Sequence, residues 1–216
     1  MIVTIDGPAG AGKSSIARDV AEELGFAFLD TGAMYRAITF GAMRAGVPLD
    51  DVEALVAFAT DAELTWNDDR IDLDGQDVSE EIRTPAVTSN IRFVADPSEI
   101  RGCLTEQQRR IARGRDIVTE GRDQGTEVFP DADCKIFLTA SPEERARRRQ
   151  LQLAAAGRAV SLDEVLAAQN QRDQEDQLRE VGRLRAADDA IVIQTDGMDP
   201  DQVKQAVLDA VRSCLA

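Results

Sequence analysis

"GPAGAGKSSIA", Gly7 to Ala17, is the stretch from which the rest of the chain can be read. Gly7-Pro8-Ala9-Gly10-Ala11-Gly12-Lys13-Ser14 fits the pattern G-x-x-x-x-G-K-[ST]. "MIVTID", residues 1 to 6, is short and β-branched, as a strand requires, and "SSIARDVAEEL", residues 14 to 24, carries apolar residues at helical spacing. A strand, a small-residue loop and a helix N-terminus together make an anion site. Without bulky side chains the loop's N–H groups turn inward around phosphate oxygens, and the helix dipole favours the charge. Lys13 then reaches the β- and γ-phosphates, the Ser14 hydroxyl ligates Mg²⁺, and Ser15 follows in the first helical turn. The competing reading is a flexible Gly/Ala turn. Strand, loop, lysine, hydroxyl and helix in the required order favour a bound nucleoside triphosphate with magnesium.

Composition bounds what else the chain can be. Its 216 residues suffice for one α/β domain with a full core, expected over 1–216. Strand-like residues from Ile2 leave no room for a cleaved signal peptide, and no apolar run approaches a membrane span, so a cytoplasmic protein is expected. Cys103, Cys134 and Cys214 are odd in number and lack C-x-x-C spacing; they are expected to be ordinary buried thiols rather than disulfide or zinc partners. A formal charge of −15 repels polyanions at long range, which disfavours nucleic-acid binding while leaving room for a local arginine cluster on a small phosphate. Apart from Lys13, Lys135 and Lys204 every basic residue is arginine, consistent with a GC-rich coding bias or a salt-adapted surface. The chain has no histidine, which removes the usual general base, serine-hydrolase triads and most metalloenzyme sites. No exposed apolar patch is identifiable, and a monomer is expected.

Five short apolar segments alternate with helical patterns: "IVTI", "FAFLD" at 26–30, "DIVTE" at 116–120, "CKIFLTA" at 134–140 and "AIVIQT" at 190–195. This rhythm predicts a parallel sheet covered on both faces, with ligands at the carboxyl ends of the strands. Asp6, Asp30 and Glu120 are therefore site candidates, or simply polar residues where strands run into loops. One stretch breaks the rhythm. "ELTWNDDRIDLDGQDVSEEIRT", about 63–84, contains strand-like triplets broken by Asn-Asp-Asp and Asp-Gly, which predicts a small antiparallel β insertion.

A phosphate donor needs an acceptor. In "LDTGAMYRA", Thr31, Tyr35 and Arg36 fall at spacings that share one helix face; they suit a nucleotide's phosphate and sugar, or equally a surface Arg beside a half-buried Tyr. In "TEGRDQGT", Glu120 is placed to hold a magnesium-bound water, and Arg122 with Asp123 puts a charge pair at the same strand end. Arg172, Asp176 and Arg179 lie at i, i+4 and i+7, and on spacing alone read as a solvated ion-pair ladder. Arg145, Arg147, Arg148 and Arg149 crowd one helix of an acidic protein, which points to a mobile arginine lid over phosphates at about 145–162.

Taken together, "TIDGPAGAGKSS", "FLDTGAMYR", "DVSEEIRT", the "IR…QR" of residues 100–109, "EGRDQGT", "KIFLTASPEERARRR" and "RDQEDQLR" resemble the bacterial cytidylate kinases from end to end. The resemblance implies a P-loop NTPase fold of the nucleoside monophosphate kinase type: five parallel strands flanked by helices, the antiparallel insertion and an arginine-rich lid. It also implies the reaction, ATP plus CMP or dCMP giving ADP plus CDP or dCDP, with Mg²⁺. Carried over by position, Thr31, Tyr35, Arg36 and Arg122 hold the acceptor phosphate and its surroundings, and Arg101 and Asp123 match positions serving the cytosine and the transferring phosphates. Asp176 and Arg179 meet the nucleotide sugar, and Arg172 serves the acceptor phosphate. Lys13, Arg122, Asp123 and Arg172 form the catalytic set, while Gly7 to Ser15 and Arg148 bind ATP. One departure concerns the base: Arg92 falls where the family places a small hydroxyl, so either Ser89 substitutes or the base contact differs. A second places Gly182 and Leu184 in a loop where relatives have proline.

The missing histidine suits such chemistry. A phosphate oxygen is already ionised at neutral pH, so in-line alignment and charge neutralisation suffice. Rival readings are another small kinase (uridylate, adenylate or shikimate), a switch GTPase, for which no N-K-x-D motif is present, and a nucleotide-binding regulator without chemistry.

Overall fold

The computed structural model describes residues 1–67 and 70–214. In chain order the elements are β1 (Ile2–Asp6), α1 (Lys13–Leu24), β2 (Ala27–Asp30), α2 (Thr31–Ala45), α3 (Val52–Asp61), β3 (Leu64–Asn67), β4 (Arg70–Leu73) and β5 (Gln76–Asp77). After a single 3-10 turn at Glu81–Arg83 come α4 (Pro85–Asn90), α5 (Arg92–Ala95), α6 (Ser98–Ala112), β6 (Ile117–Gly121), β7 (Cys134–Thr139), α7 (Pro142–Ala155), α8 (Leu162–Leu178), β8 (Ile191–Gln194) and α9 (Pro200–Cys214). The five expected core strands form one parallel sheet in the order β2-β6-β1-β7-β8, and β3-β4-β5 form the small antiparallel sheet. The chain divides into two compact units, Met1–Phe26 with everything from Val118 onward, and Ala27–Ile117.

In the first unit, β1 and β7 pair in parallel with Val3 opposite Cys134, and β7 pairs with β8 with Ile136 opposite Ile191. Val3, Ile5, Val118, Ile136 and Leu138 are fully buried because the sheet is covered on both faces. Ile16 and Val20 of α1, and Val203, Val207 and Val211 of α9, supply the helical side of that core. Each such side chain contributes on the order of 1.5–3 kcal/mol through loss of its apolar hydration.

In the second unit, Asp30 caps α2 by accepting from the Ala33 N–H at 3.0 Å, and Met34, Ala37, Ile38 and Ala42 form the buried stripe of that helix. The insertion pairs Trp66 with Ile71 and Leu73 with Gln76. Its Asp-Gly signal is realised: Asp74 and Gly75 both take positive φ (52° and 75°), the conformation of a tight hairpin turn. Of the Asn-Asp-Asp signal, Asp68 and Asp69 lie outside the described residues.

The thiols depart from expectation. All three are free, but only Cys134 is buried; Cys103 is half-buried on α6 with its sulfur 3.4 Å from the Thr60 hydroxyl, and Cys214 is exposed in the last turn of α9. Among the described residues no helix is long and apolar enough to cross a membrane.

Candidate functional site

The loop at Gly7 is held by close approach. Gly7 has φ 148°, and a Cβ there would lie 2.0 Å from the Leu138 carbonyl oxygen, so β1 can run against β7 only with glycine at this point. No side chain caps α1, whose entry residue is Gly12; the first-turn N–H groups are left for an anion. The Lys13 ammonium is folded back on the loop, donating to the Pro8 carbonyl at 2.9 Å. Burial pushes its pKa down to about 7, and Arg122 and Arg172 add to the fall while Glu120 and Asp6 oppose it. A bound polyphosphate acts in the opposite sense and favours the charged amine.

The Ser14 hydroxyl donates to Glu120 Oε1 at 2.7 Å. A hydroxyl and a carboxylate side by side are hard donors of the kind Mg²⁺ accepts, and the ion commonly retains waters and binds substrate phosphates through few protein ligands. Among the described residues no group of three or more His, Cys, Asp or Glu side chains is arranged to hold a metal.

Around the loop stands a set of buried charges. Asp6, at the end of β1, accepts from the N–H groups of Gln124 (2.9 Å) and Gly125 (2.7 Å). Burial pushes its carboxyl up to about 7; the two N–H bonds and Lys13 pull it back, and the buried Asp123 carboxylate adds to the rise. Asp176 is 2 % exposed and bracketed, with Arg122 Nε on Oδ2 at 3.0 Å and an Arg179 nitrogen on Oδ1 at 2.7 Å. Burial pushes the Asp176 carboxyl up, yet Arg122, Arg179 and Arg172 together hold it below its ordinary 3.8. The solvated ladder expected from spacing is thus corrected. Helix α8 ends at Leu178, Arg179 continues in extended backbone, and a guanidinium from the end of β6 closes on the carboxylate, so Asp176 is buried among half-buried arginines. The departing loop with Gly182 and Leu184 is tied to the same residue, since the Leu184 N–H donates to the Asp176 carbonyl at 2.9 Å.

The arginines of α7 divide. Arg145, expected as part of a mobile group, is 4 % exposed and fastened: its Nε donates to the Ala140 carbonyl (3.0 Å), and one terminal nitrogen reaches the Ala9 carbonyl of the loop (2.9 Å) and Asp173 Oδ2 of α8 (2.6 Å). It lies in the first turn of α7 facing inward, and a buried guanidinium needs just such partners. Arg148, half-buried, donates to Glu144 Oε1 and to the hydroxyl and carbonyl oxygens of Thr195, beyond β8. Arg147 is well exposed, and Arg149 bonds Gln152. Asp173 and Gln169 were not among the expected site residues. The available signal was the stripe Val165, Gln169, Asp173, Asp176, which continues helical spacing from an apolar residue with polar ones and is buried throughout.

In the second unit Thr31 opens α2 and is buried. Tyr35 is buried as well, not half-buried, and the Arg101 guanidinium lies over its ring at 5.2 Å. Arg101 also donates to the Ala95 carbonyl at 2.8 Å, and Arg36 donates to the Thr88 hydroxyl at 2.8 Å. Arg92 is exposed with its guanidinium 4.9 Å from the Phe93 ring centroid, whereas the Ser89 hydroxyl bonds its own helix at the Ala86 carbonyl.

A glycine loop ending in Lys13 and Ser14, a carboxylate strand end beside it and a five-stranded parallel sheet define a P-loop nucleoside triphosphate-binding protein. Comparison with known proteins narrows this. The family model described as cytidylate kinase matches residues 3–213. A cytidylate kinase of Rhodopirellula baltica is 74 % identical over 215 residues, covering 100 % of this chain and 94 % of that protein. A cytidylate kinase of Caldanaerobacter subterraneus subsp. tengcongensis is 45 % identical over 210 residues, with 97 % and 94 % covered. The crystal structure of a shikimate kinase from Bacteroides thetaiotaomicron is similar in fold alone, with TM-score 0.51 at 14 % identity over 100 % of this chain and 98 % of that one. The chain belongs to the cytidylate kinase family.

Proposed function

We propose that the chain transfers the γ-phosphoryl group of ATP to CMP or dCMP, giving ADP and CDP or dCDP. The observation that carries this reading is the family match across residues 3–213. In it, Gly7 to Ser15 cradle the ATP phosphates, Lys13 neutralises the transferring group, and Arg148 serves the donor nucleotide. Thr31, Tyr35, Arg36 and Arg101 are assigned to the acceptor nucleotide. Arg122, Asp123 and Arg172 are assigned to the acceptor phosphate and the transferring group, Asp176 and Arg179 to the sugar. Ser14, with Glu120 beside it, would hold Mg²⁺, whose charge when bound offsets that of the phosphates.

No general base is needed, because the nucleophile is an ionised phosphate oxygen, and rate comes from alignment and charge. Water is the competing acceptor, and the segment at about 145–162 is read as the lid that excludes it, with Arg145 as its fixed base rather than its moving tip. The protein is further read as a cytoplasmic monomer that does not bind nucleic acid, in keeping with its charge of −15.

A coupled ADP-release assay with Mg-ATP tests the reading, offering CMP, dCMP, UMP, AMP and shikimate in parallel. Turnover of CMP and dCMP with little on the others is expected, and Lys13→Ala should lower kcat by about three orders of magnitude or more. Strong UMP turnover would show that Arg92 has changed the base contact; no turnover with any acceptor would leave a nucleotide-binding regulator.

A further inference from the structure

Asp6 takes no part in the reaction as described, yet it is 4 % exposed and makes two of the longest-range hydrogen bonds in the first unit. Each carboxylate oxygen accepts one backbone N–H, Oδ1 from Gln124 at 2.9 Å and Oδ2 from Gly125 at 2.7 Å. Those two residues open the wide turn Gln124–Val128, which directly follows Arg122 and Asp123. The turn is closed on itself by the N–H groups of Glu127 and Val128, both donating to the Asp123 carbonyl, and by the Thr119 hydroxyl donating to the Gln124 side chain. It also presses on β1: a Cβ on Gly125 would stand 2.9 Å from Thr4 Oγ1 and 3.3 Å from the Lys135 side chain. A carboxylate suits this place because it accepts at both oxygens, whereas an amide would turn its NH₂ toward one of the two N–H groups.

We propose that Asp6 is a positioning residue, whose carboxylate pins the Gln124–Gly125 backbone to the end of β1 and thereby sets where Arg122 and Asp123 stand for phosphoryl transfer. The Gly7 backbone has a second support in its close approach to Leu138, and because the Asp6 charge also faces Lys13, variants at Gly125 that leave that charge in place separate the positioning role from an effect on the lysine. The inference rests on the acceptor-side reading of Arg122 and Asp123 given above, and its test includes a reference for that reading.

The experiment is steady-state kinetics with Mg-ATP and CMP, per mole of folded protein. Asp6→Asn should lower kcat about tenfold or more and raise KM for CMP several-fold, with KM for ATP changing by less than about twofold. Gly125→Ala, which pushes the same turn off β1 with Asp6 intact, should act in the same direction, and adding Thr4→Ala to it should restore kcat/KM to within about threefold of the parent by removing the atom in the way. A purely structural Asp6 would lower the melting temperature while leaving kcat and both KM values unchanged, and that result overturns the proposal. If Asp6→Asn does not fold, failure of Gly125→Ala to alter KM for CMP, or of Thr4→Ala to rescue it, overturns it equally. Arg122→Ala is the reference: if it leaves KM for CMP unchanged, the acceptor-side reading itself has failed, whereas a large effect of Arg122→Ala with none from Asp6→Asn or Gly125→Ala rejects the positioning role alone.

Discussion

Asp176 concentrates the electrostatics of the site in one carboxyl group. Taken out of water it would favour the neutral acid, but Arg122, Arg179 and Arg172 outweigh burial and keep it ionised below the usual carboxylate range. Because its folded value lies below its unfolded one, its contribution to stability is complete above about pH 4 and is lost as pH falls through the folded value. Thermal unfolding followed from pH 7 down to pH 3 should therefore show an acid limb that flattens in Asp176→Asn; an unchanged limb would place the acid sensitivity elsewhere. In kinetics, Asp176→Ala should raise KM for the acceptor much more than for ATP, and equal effects would mark a purely structural ion cluster. This residue was legible by name and position in the sequence, but its burial was not, because Arg122 lies 54 residues away and only the fold brings it to α8.

Helices α7 and α8 are joined by a buried clasp at their base. Arg145 bonds Asp173 at 2.6 Å and also satisfies the Ala9 and Ala140 carbonyls, so one guanidinium ties both helices to the phosphate loop. Ser161 and Glu164 form a reciprocal cap that starts α8 and turns the hairpin. Asp173→Ala would leave the Arg145 charge buried without its carboxylate, and should cost about 3–5 kcal/mol in urea unfolding. Arg145→Met together with Asp173→Leu, which removes both charges at similar volume, should cost much less; equal losses would show that the clasp acts through packing alone. A stripe of polar residues where spacing calls for apolar ones was the sequence signal here, and it is ambiguous until a partner for each polar atom is known.

Across the whole molecule 40 acidic residues face 25 basic ones. Exposed pairs such as Lys204 with Glu23 contribute little to stability and weaken in salt, whereas the excess of like charge is relieved by it. Raising KCl from about 0.1 M to about 1 M, where the screening length shortens to roughly 3 Å, should raise the melting temperature without a steep fall in activity; a steep fall would rule out the salt-adapted reading of the surface. Local patterning by itself determined the strand-loop-helix start, the five short apolar strand segments, the Asp-Gly hairpin and each of the site motifs, because each depends on residues within a dozen or so positions of one another. Tertiary structure alone decided that Asp176 is enclosed between arginines, that Arg145 is a fixed clasp while Arg147 stays in water, that Tyr35 lies under Arg101, and that Asp6 holds a turn 118 residues away. The physical reason is that burial and pairing of charge are properties of contacts between distant segments, on which neither hydrophobic period nor motif spacing carries information.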